Sequence, residues 1–469
     1  MSRQVPLVAA NSVLGSLQEL RSDTLGAYLR AQRTYGDVVR FSAGPPGMRA
    51  DVYGVFSAEG VQQILASQAA NFRKENAVYT EIRESIGNGL LTSQDEEYRF
   101  QRRMVQPFFT QRRVNGYAAA VHLEAIAAAE KWSASPDGLI DASKEMAEFA
   151  LRAVTRILFG SDIDTAIDVV RRNFPVLGDS VLRRGVAPLR IPRTWPTPAN
   201  RRVAAAQREL YEVCDRIIAE RSAAGDTGEQ DMVSLLVQAR GEDGAALDAD
   251  AVRDQVLVFL LAGHETTATA LAFSLHLLAR HPEAQARLRE EVDSVLGGRA
   301  AEAADLDTLP YVGQVLKEAM RLYPSVAIMG RRNAEAAEVE GFHIPAGSDV
   351  YLSPWVTHRH PDYWARPEDF DPDHFAPEAE AARPRYAWFP FGGGPRACIG
   401  QHFSMLEATI ALATFFQRFE LTAVDHDIPV GLAMTMQAMG PMRVRVTPRD
   451  KRPQRHSAGA RTEGQGAAE

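Results

Sequence analysis

Cysteine is nearly absent from this chain. Cys214 and Cys398 are the only two in 469 residues. Far apart in sequence, they offer neither a disulfide framework nor a zinc-type cysteine pairing. Such scarcity fits a reducing compartment, the cytoplasm. An apolar N-terminal run is also missing: MSRQVPLVAANSVLGSLQELRSDTLG brings in charges too early for a signal sequence or a membrane anchor. No G-x-G-x-x-G follows a strand pattern and two cysteines cannot hold an iron–sulfur cluster, so no electron-carrying module is expected within the chain. No repeat of solenoid period is visible. The formal net charge of -8 argues against a dedicated nucleic-acid binder.

What is present is the composition of a globular protein, 45% hydrophobic and 24% charged. Most segments carry apolar residues at three-four spacing and predict helix. Strand patterns are confined to GDVVRFSAG, DVYGVFS and VEGFHIPAGSDVYLSPW, which predicts a mainly α (α+β) body with small sheets. No linker divides residues 1–448, read as a single domain. The polar stretch 449–469 reads as a disordered tail. The proline-rich segment Pro188 to Arg202 is either a plain loop or a lid.

DQVLVFLLAGHETTATALAFSLHLLARHPE is the strongest helix pattern, ending before His281-Pro282. His264 to Thr267 interrupt its apolar run, which argues against a membrane span. Gly263 costs a helix about 1 kcal/mol relative to alanine. A ligand approaching the backbone would compensate, and Thr266 beside Glu265 could pass protons; a polar face turned to solvent would also account for the pattern. His264-Glu265 lacks the second histidine of a zinc helix, since Ala268 stands there. Downstream, VLKEAMRLYP sets Glu318 and Arg321 on one helix face, where they can pair.

In FPFGGGPRACIG, glycines and a proline impose an irregular backbone before Cys398, and a helical pattern starts just after it. The helix N-terminus and Arg396 would both favour a thiolate, which can act as a nucleophile or a metal ligand. Glycines around a thiolate suit a flat ligand such as haem. Cys214, at an apolar helical position, reads as structural.

With these landmarks in order, the chain resembles the cytochrome P450 family. AGHETT, EAMR, PEDFDPDHF and the pattern F-x-x-G-x-R-x-C-x-G at Phe391, Gly394, Arg396, Cys398 and Gly400 carry the resemblance, from about residue 20 to 448. It implies a P450 fold around a buried haem b, with Cys398 as iron ligand and metal site, Phe391 near its sulfur, and Gly400 beside it. Glu318 and Arg321 would form a structural ion pair joined by His374, which stands where the family has arginine. Arg331, Arg396, Arg102 and Tyr98, the last replacing a tryptophan, would face the haem propionates. Ala262, Thr266 and Glu265 would line the distal pocket, and Val78, Ile82, Phe259, Val326 and Ile328 would contact substrate.

The implied activity is monooxygenation: one oxygen atom from O2 enters a hydrophobic small molecule by hydroxylation or epoxidation, as in terpenoid or polyketide tailoring. NAD(P)H would act indirectly, through a ferredoxin or flavodoxin and its reductase. Outward members of the cluster Arg99, Arg102, Arg103, Arg112 and Arg113 would attract that carrier, or form a solvated basic face. The alternatives are a peroxide-dependent peroxygenase, a non-catalytic haem sensor and a cysteine hydrolase.

Overall fold

A computed structural model describes residues 3–11, 13–160, 164–187, 190–224, 231–240 and 244–449. The core forms around the central helix Ala249–Arg280. Asp248 starts it by accepting the Ala251 N–H at 2.8 Å, and Pro282 opens the next helix, Pro282–Leu296, so the chain turns at His281. Alongside lie the helices Ala142–Phe159 and Gln401–Arg418. The central helix is long and apolar enough to cross a membrane despite the polar interruption at 264–267, so that interruption alone was no argument against a span. Its burial within this core is what identifies it as an interior helix.

Gly263 is explained by packing. A Cβ there would sit 2.9 Å from Cγ2 of Val154, so the glycine lets helix Ala142–Phe159 approach the central helix. Helix Pro310–Leu322 crosses nearby and ends at Tyr323, before Pro324.

Three expected strands join two unexpected ones in a five-stranded sheet in the order Val38–Ala43, Ala50–Val55, Asp349–Leu352, Met329–Asn333, Phe72–Arg73, while the VEGFHIP segment pairs in a separate sheet with Arg3–Gln4. Within the five-stranded sheet the pairing of Ala50–Val55 with Asp349–Leu352 is parallel, and the others are antiparallel. A further sheet escaped the sequence patterns: Phe419–Ala423, Arg443–Pro448 and Leu139–Asp141 pair antiparallel and close the end of the Gln401–Arg418 helix. Arg449, assigned to the tail, is held by Asp293 and the Phe416 carbonyl, both at 2.5 Å. The rest of that tail, 450–469, and Pro188-Leu189 of the proline-rich loop lie outside the described residues.

Candidate functional site: a cysteine-floored cavity

The loop before Cys398 is fixed by its glycines. Gly394 has φ +62°, and a Cβ there would lie 1.8 Å from the Leu65 carbonyl oxygen, so only glycine fits. Gly392, at φ +68°, makes the turn that lets the Cys398 N–H donate to the Phe391 carbonyl at 2.9 Å. Phe391 is thereby held beside the cysteine and edge-on to Trp388. Behind the loop stands a buried polar relay. Arg321 and Glu318 pair at 2.7 and 2.8 Å, Arg321 donates to the His358 carbonyl, and His358 Nε2 accepts the Phe389 N–H at 3.0 Å. His374 joins with Nδ1 3.1 Å from Glu318 and Nε2 2.7 Å from the Ala365 carbonyl, so an imidazole does stand at the third position of the pair.

The loop and the central helix enclose a cavity of about 300 Å3. Cys398, Phe391, Gly400, Tyr98, Arg102, Arg331, Arg396, Ala262, Thr266, Phe259 and Val326 all border it, as expected. Cys398 is reached through this cavity, and burial raises its thiol pKa; the Gly400 N–H and the charges of Arg102 and Lys74 only partly offset this. The expected help from Arg396 is not there, because its guanidinium donates to the Ser93 and Leu91 carbonyls and stacks over Tyr98. Tyr98 in turn donates its hydroxyl to the Pro395 carbonyl at 2.7 Å, bracing the loop rather than reaching across the cavity. Among the described residues no histidine borders the cavity, so Cys398 lacks the base a hydrolase would need. Cys214 is buried, its thiol pushed up to about 12, and inert.

Several expected residues lie elsewhere. Glu265 does not border the cavity; its carboxylate accepts from Thr435 Oγ1 at 3.3 Å. Thr266 faces in and donates to the Ala262 carbonyl at 2.7 Å. Val78 packs on Gly185, Ile82 lies in the main core, and Ile328 packs with Trp355 in a separate apolar cluster, so none of the three lines the cavity.

Other contributors carry no motif. Lys74, one of only five lysines in the chain, sits at the cavity over the Tyr79 ring, with its Nζ 3.3 Å from the Leu91 carbonyl. That rarity in an arginine-dominated sequence was the available signal. Burial, then Arg396 and Arg331, holds its pKa well down, and burial lowers Arg396 to about 10. Among the described residues no carboxylate pairs with Lys74, Arg102, Arg331 or Arg396. Enclosed cations without anions are unfavourable, and they mark where acidic groups of a ligand belong. Haem, with two propionates and an iron that takes a thiolate, fits this donor set: Cys398 would hold the iron and the cations the propionates. Glu407 was also missed. It is fully buried behind Thr267, and burial raises its carboxyl pKa well above the usual range.

A thiol-floored, cation-rimmed apolar pocket defines the haem-thiolate class. The cytochrome P450 family model matches residues 6–444. The chain is 36% identical over 425 residues to cyclooctatin synthase of Streptomyces melanosporofaciens, covering 90% of this chain and 91% of the relative. Over 400 residues it is 36% identical to cyclooctat-9-en-7-ol 5-monooxygenase of the same organism, covering 85% of each. Pentalenene oxygenase of Streptomyces avermitilis is 34% identical over 426 residues, covering 90% of this chain and 92% of the relative. The chain belongs to the cytochrome P450 family. It is accordingly a haem b monooxygenase that uses O2 on a hydrophobic substrate, with NAD(P)H electrons arriving through redox partners. A non-catalytic sensor is set aside.

Proposed function

We propose that the protein oxidises a cyclic terpenoid at a carbon held over Cys398, with electrons from a separate ferredoxin or flavodoxin, as a single cytoplasmic catalytic domain. The observation that carries this is the apolar cavity closed on one side by Cys398 and its cationic rim. The names of the three relatives support the terpenoid assignment.

Bound haem supplies the activation of O2. The chain's own residues do the rest. Cys398 would hold the iron through its sulfur, and the Gly400 N–H would temper the charge on it. Lys74, Arg102 and Arg331, all at the cavity, would neutralise the propionates. Phe259, Val154 and Val326 exclude water and orient the substrate by shape. Thr266 holds a proton at Oγ1 on the cavity wall, donated to the Ala262 carbonyl. Arg99, Arg103 and Arg112 stand exposed on the outer surface close to Arg102 and form a docking patch for an acidic carrier.

Reconstitution with a ferredoxin, its reductase, NADPH and 18O2 tests the reading. Product gaining one labelled oxygen is expected, with reduction by the carrier slowing as salt rises. Unlabelled product formed from peroxide alone would overturn it.

A further inference from the structure

We infer that Ser325 is a positioning residue for Thr266, fixing where the threonine hydroxyl stands in the cavity through a bond to the helix backbone. The inference rests on the proton-holding role proposed above for Thr266 and adds the group that keeps it in place.

Ser325 borders the cavity and is largely buried. Its Oγ donates to the Thr266 carbonyl at 2.7 Å, joining residues 59 positions apart in the chain. That carbonyl lies inside the continuous helix Ala249–Arg280, where helical geometry already gives it the Ala270 N–H. With Ser325 as a second donor, both of its lone pairs are used, and the peptide plane between Thr266 and Thr267 is held from outside the helix. Thr266 Oγ1 makes the other bond of this residue, to the Ala262 carbonyl at 2.7 Å. That bond travels with the helix and cannot place it. The bond from Ser325 ties the same turn to a different part of the fold.

The part it ties to is itself fastened. Two residues before Ser325, Tyr323 stacks on Phe273 with ring centroids 4.0 Å apart and planes 4° from parallel. Phe273 follows Thr266 by about two helical turns, so both contacts fall on one face of the central helix. The Ser325 carbonyl accepts the Met436 N–H at 2.8 Å, and the Met436 carbonyl accepts from Thr269 Oγ1 at 3.2 Å. Strand Met436–Ala438 thereby closes a ring of bonds back to the helix, and the Thr435 hydroxyl on the Glu265 carboxylate adds a further tie. Helix Pro310–Leu322, which carries Glu318 and Arg321, ends at Tyr323. The ion pair behind the cysteine loop and the serine that holds Thr266 therefore belong to one short stretch, Glu318 to Ser325. Floor and wall of the cavity share one frame, which is what a proton held at a set distance from Cys398 requires.

The test uses the holoprotein with Ser325→Ala, Ser325→Thr and Thr266→Ala. Amide hydrogen exchange, read by mass spectrometry on fragments covering residues 262–272, should quicken by about 3- to 10-fold in Ser325→Ala and keep the parent rate in Ser325→Thr. The infrared stretch of carbon monoxide on the reduced protein reports the polar group that faces the gas. It should shift in Thr266→Ala, shift as well in Ser325→Ala, and return to the parent position in Ser325→Thr. Ser325→Ala with the parent band or the parent exchange rate would overturn the inference. So would Ser325→Thr behaving as Ser325→Ala does, since shape and not the hydroxyl would then matter. A band unmoved by Thr266→Ala would remove the role of Thr266 and this inference with it. Failure of the haem-thiolate reading would show separately, as a carbon-monoxide difference spectrum without the thiolate band on the same sample.

Discussion

Arg321 grips Glu318 through two N–H···O contacts, of 2.7 and 2.8 Å, with neither side chain exposed to solvent. The fork leaves Arg321 Nη1 free to donate to the His358 and Pro367 carbonyls, while Nη2 also reaches the Asp369 carbonyl, so one guanidinium fastens two further stretches of chain behind the cysteine loop. Removing one partner strands the other charge in the interior. Glu318→Ala or Arg321→Ala should cost about 3–5 kcal/mol. Chemical denaturation of each variant checks this, and both should also fail to retain haem.

The pair reaches the cysteine loop through His358, whose ring accepts the Phe389 N–H. Burial, then Arg321 and Arg359, holds its pKa well below the ordinary value, so the folded protein keeps it neutral. Unfolded chains bind a proton there below about pH 6.5, and the folded chain does not. Stability at this residue is therefore complete above that pH and falls as the pH drops, by up to about 1.4 kcal/mol per unit. His358→Gln, which can still accept the bond but cannot titrate, should flatten the acid limb of a melting-temperature profile between pH 6.5 and 5.

Lys74 and Arg331 meet at the cavity without an anion among the described residues. If they hold propionates, each contributes a charge-assisted hydrogen bond worth about 1.5–3 kcal/mol. Lys74→Met and Arg331→Met should each raise the haem dissociation rate by about 10- to 100-fold, measured by transfer to apomyoglobin. Arg103→Met, exposed and away from the cavity, should leave it unchanged.

Thr266→Ala deletes the only hydroxyl that the central helix anchors to the Ala262 carbonyl. Product formed per NADPH should fall by about 10-fold or more while hydrogen peroxide rises, since proton placement and not substrate binding is lost. Glu265→Gln should change this coupling far less, because its carboxylate lies on Thr435 outside the cavity.

The contrast between these two neighbours shows what the sequence could and could not convey. Features set by local chain geometry were legible: the glycine turn before Cys398, the three-residue spacing of Glu318 and Arg321, and the end of the central helix before His281-Pro282. Glu265 was misplaced because consecutive helical residues point about 100° apart, so Thr266 facing the cavity turns Glu265 away from it. Val78, Ile82 and Ile328 were apolar and near the right segments, but an apolar residue serves a core as readily as a pocket. Lys74, Val154 and Met232 reach the cavity by tertiary packing alone, which no local pattern reports. Gly263 looked like room for a ligand, and it both borders the cavity and makes room for Val154.

The central claim is that Cys398 is an iron ligand. The reduced carbon-monoxide difference spectrum of the purified holoprotein, with Cys398→Ser alongside, tests it most directly. A red-shifted Soret band of the thiolate type, absent from the variant, is the predicted result. Folded protein that takes up no haem when haem is supplied, or a band that survives in Cys398→Ser, would contradict it.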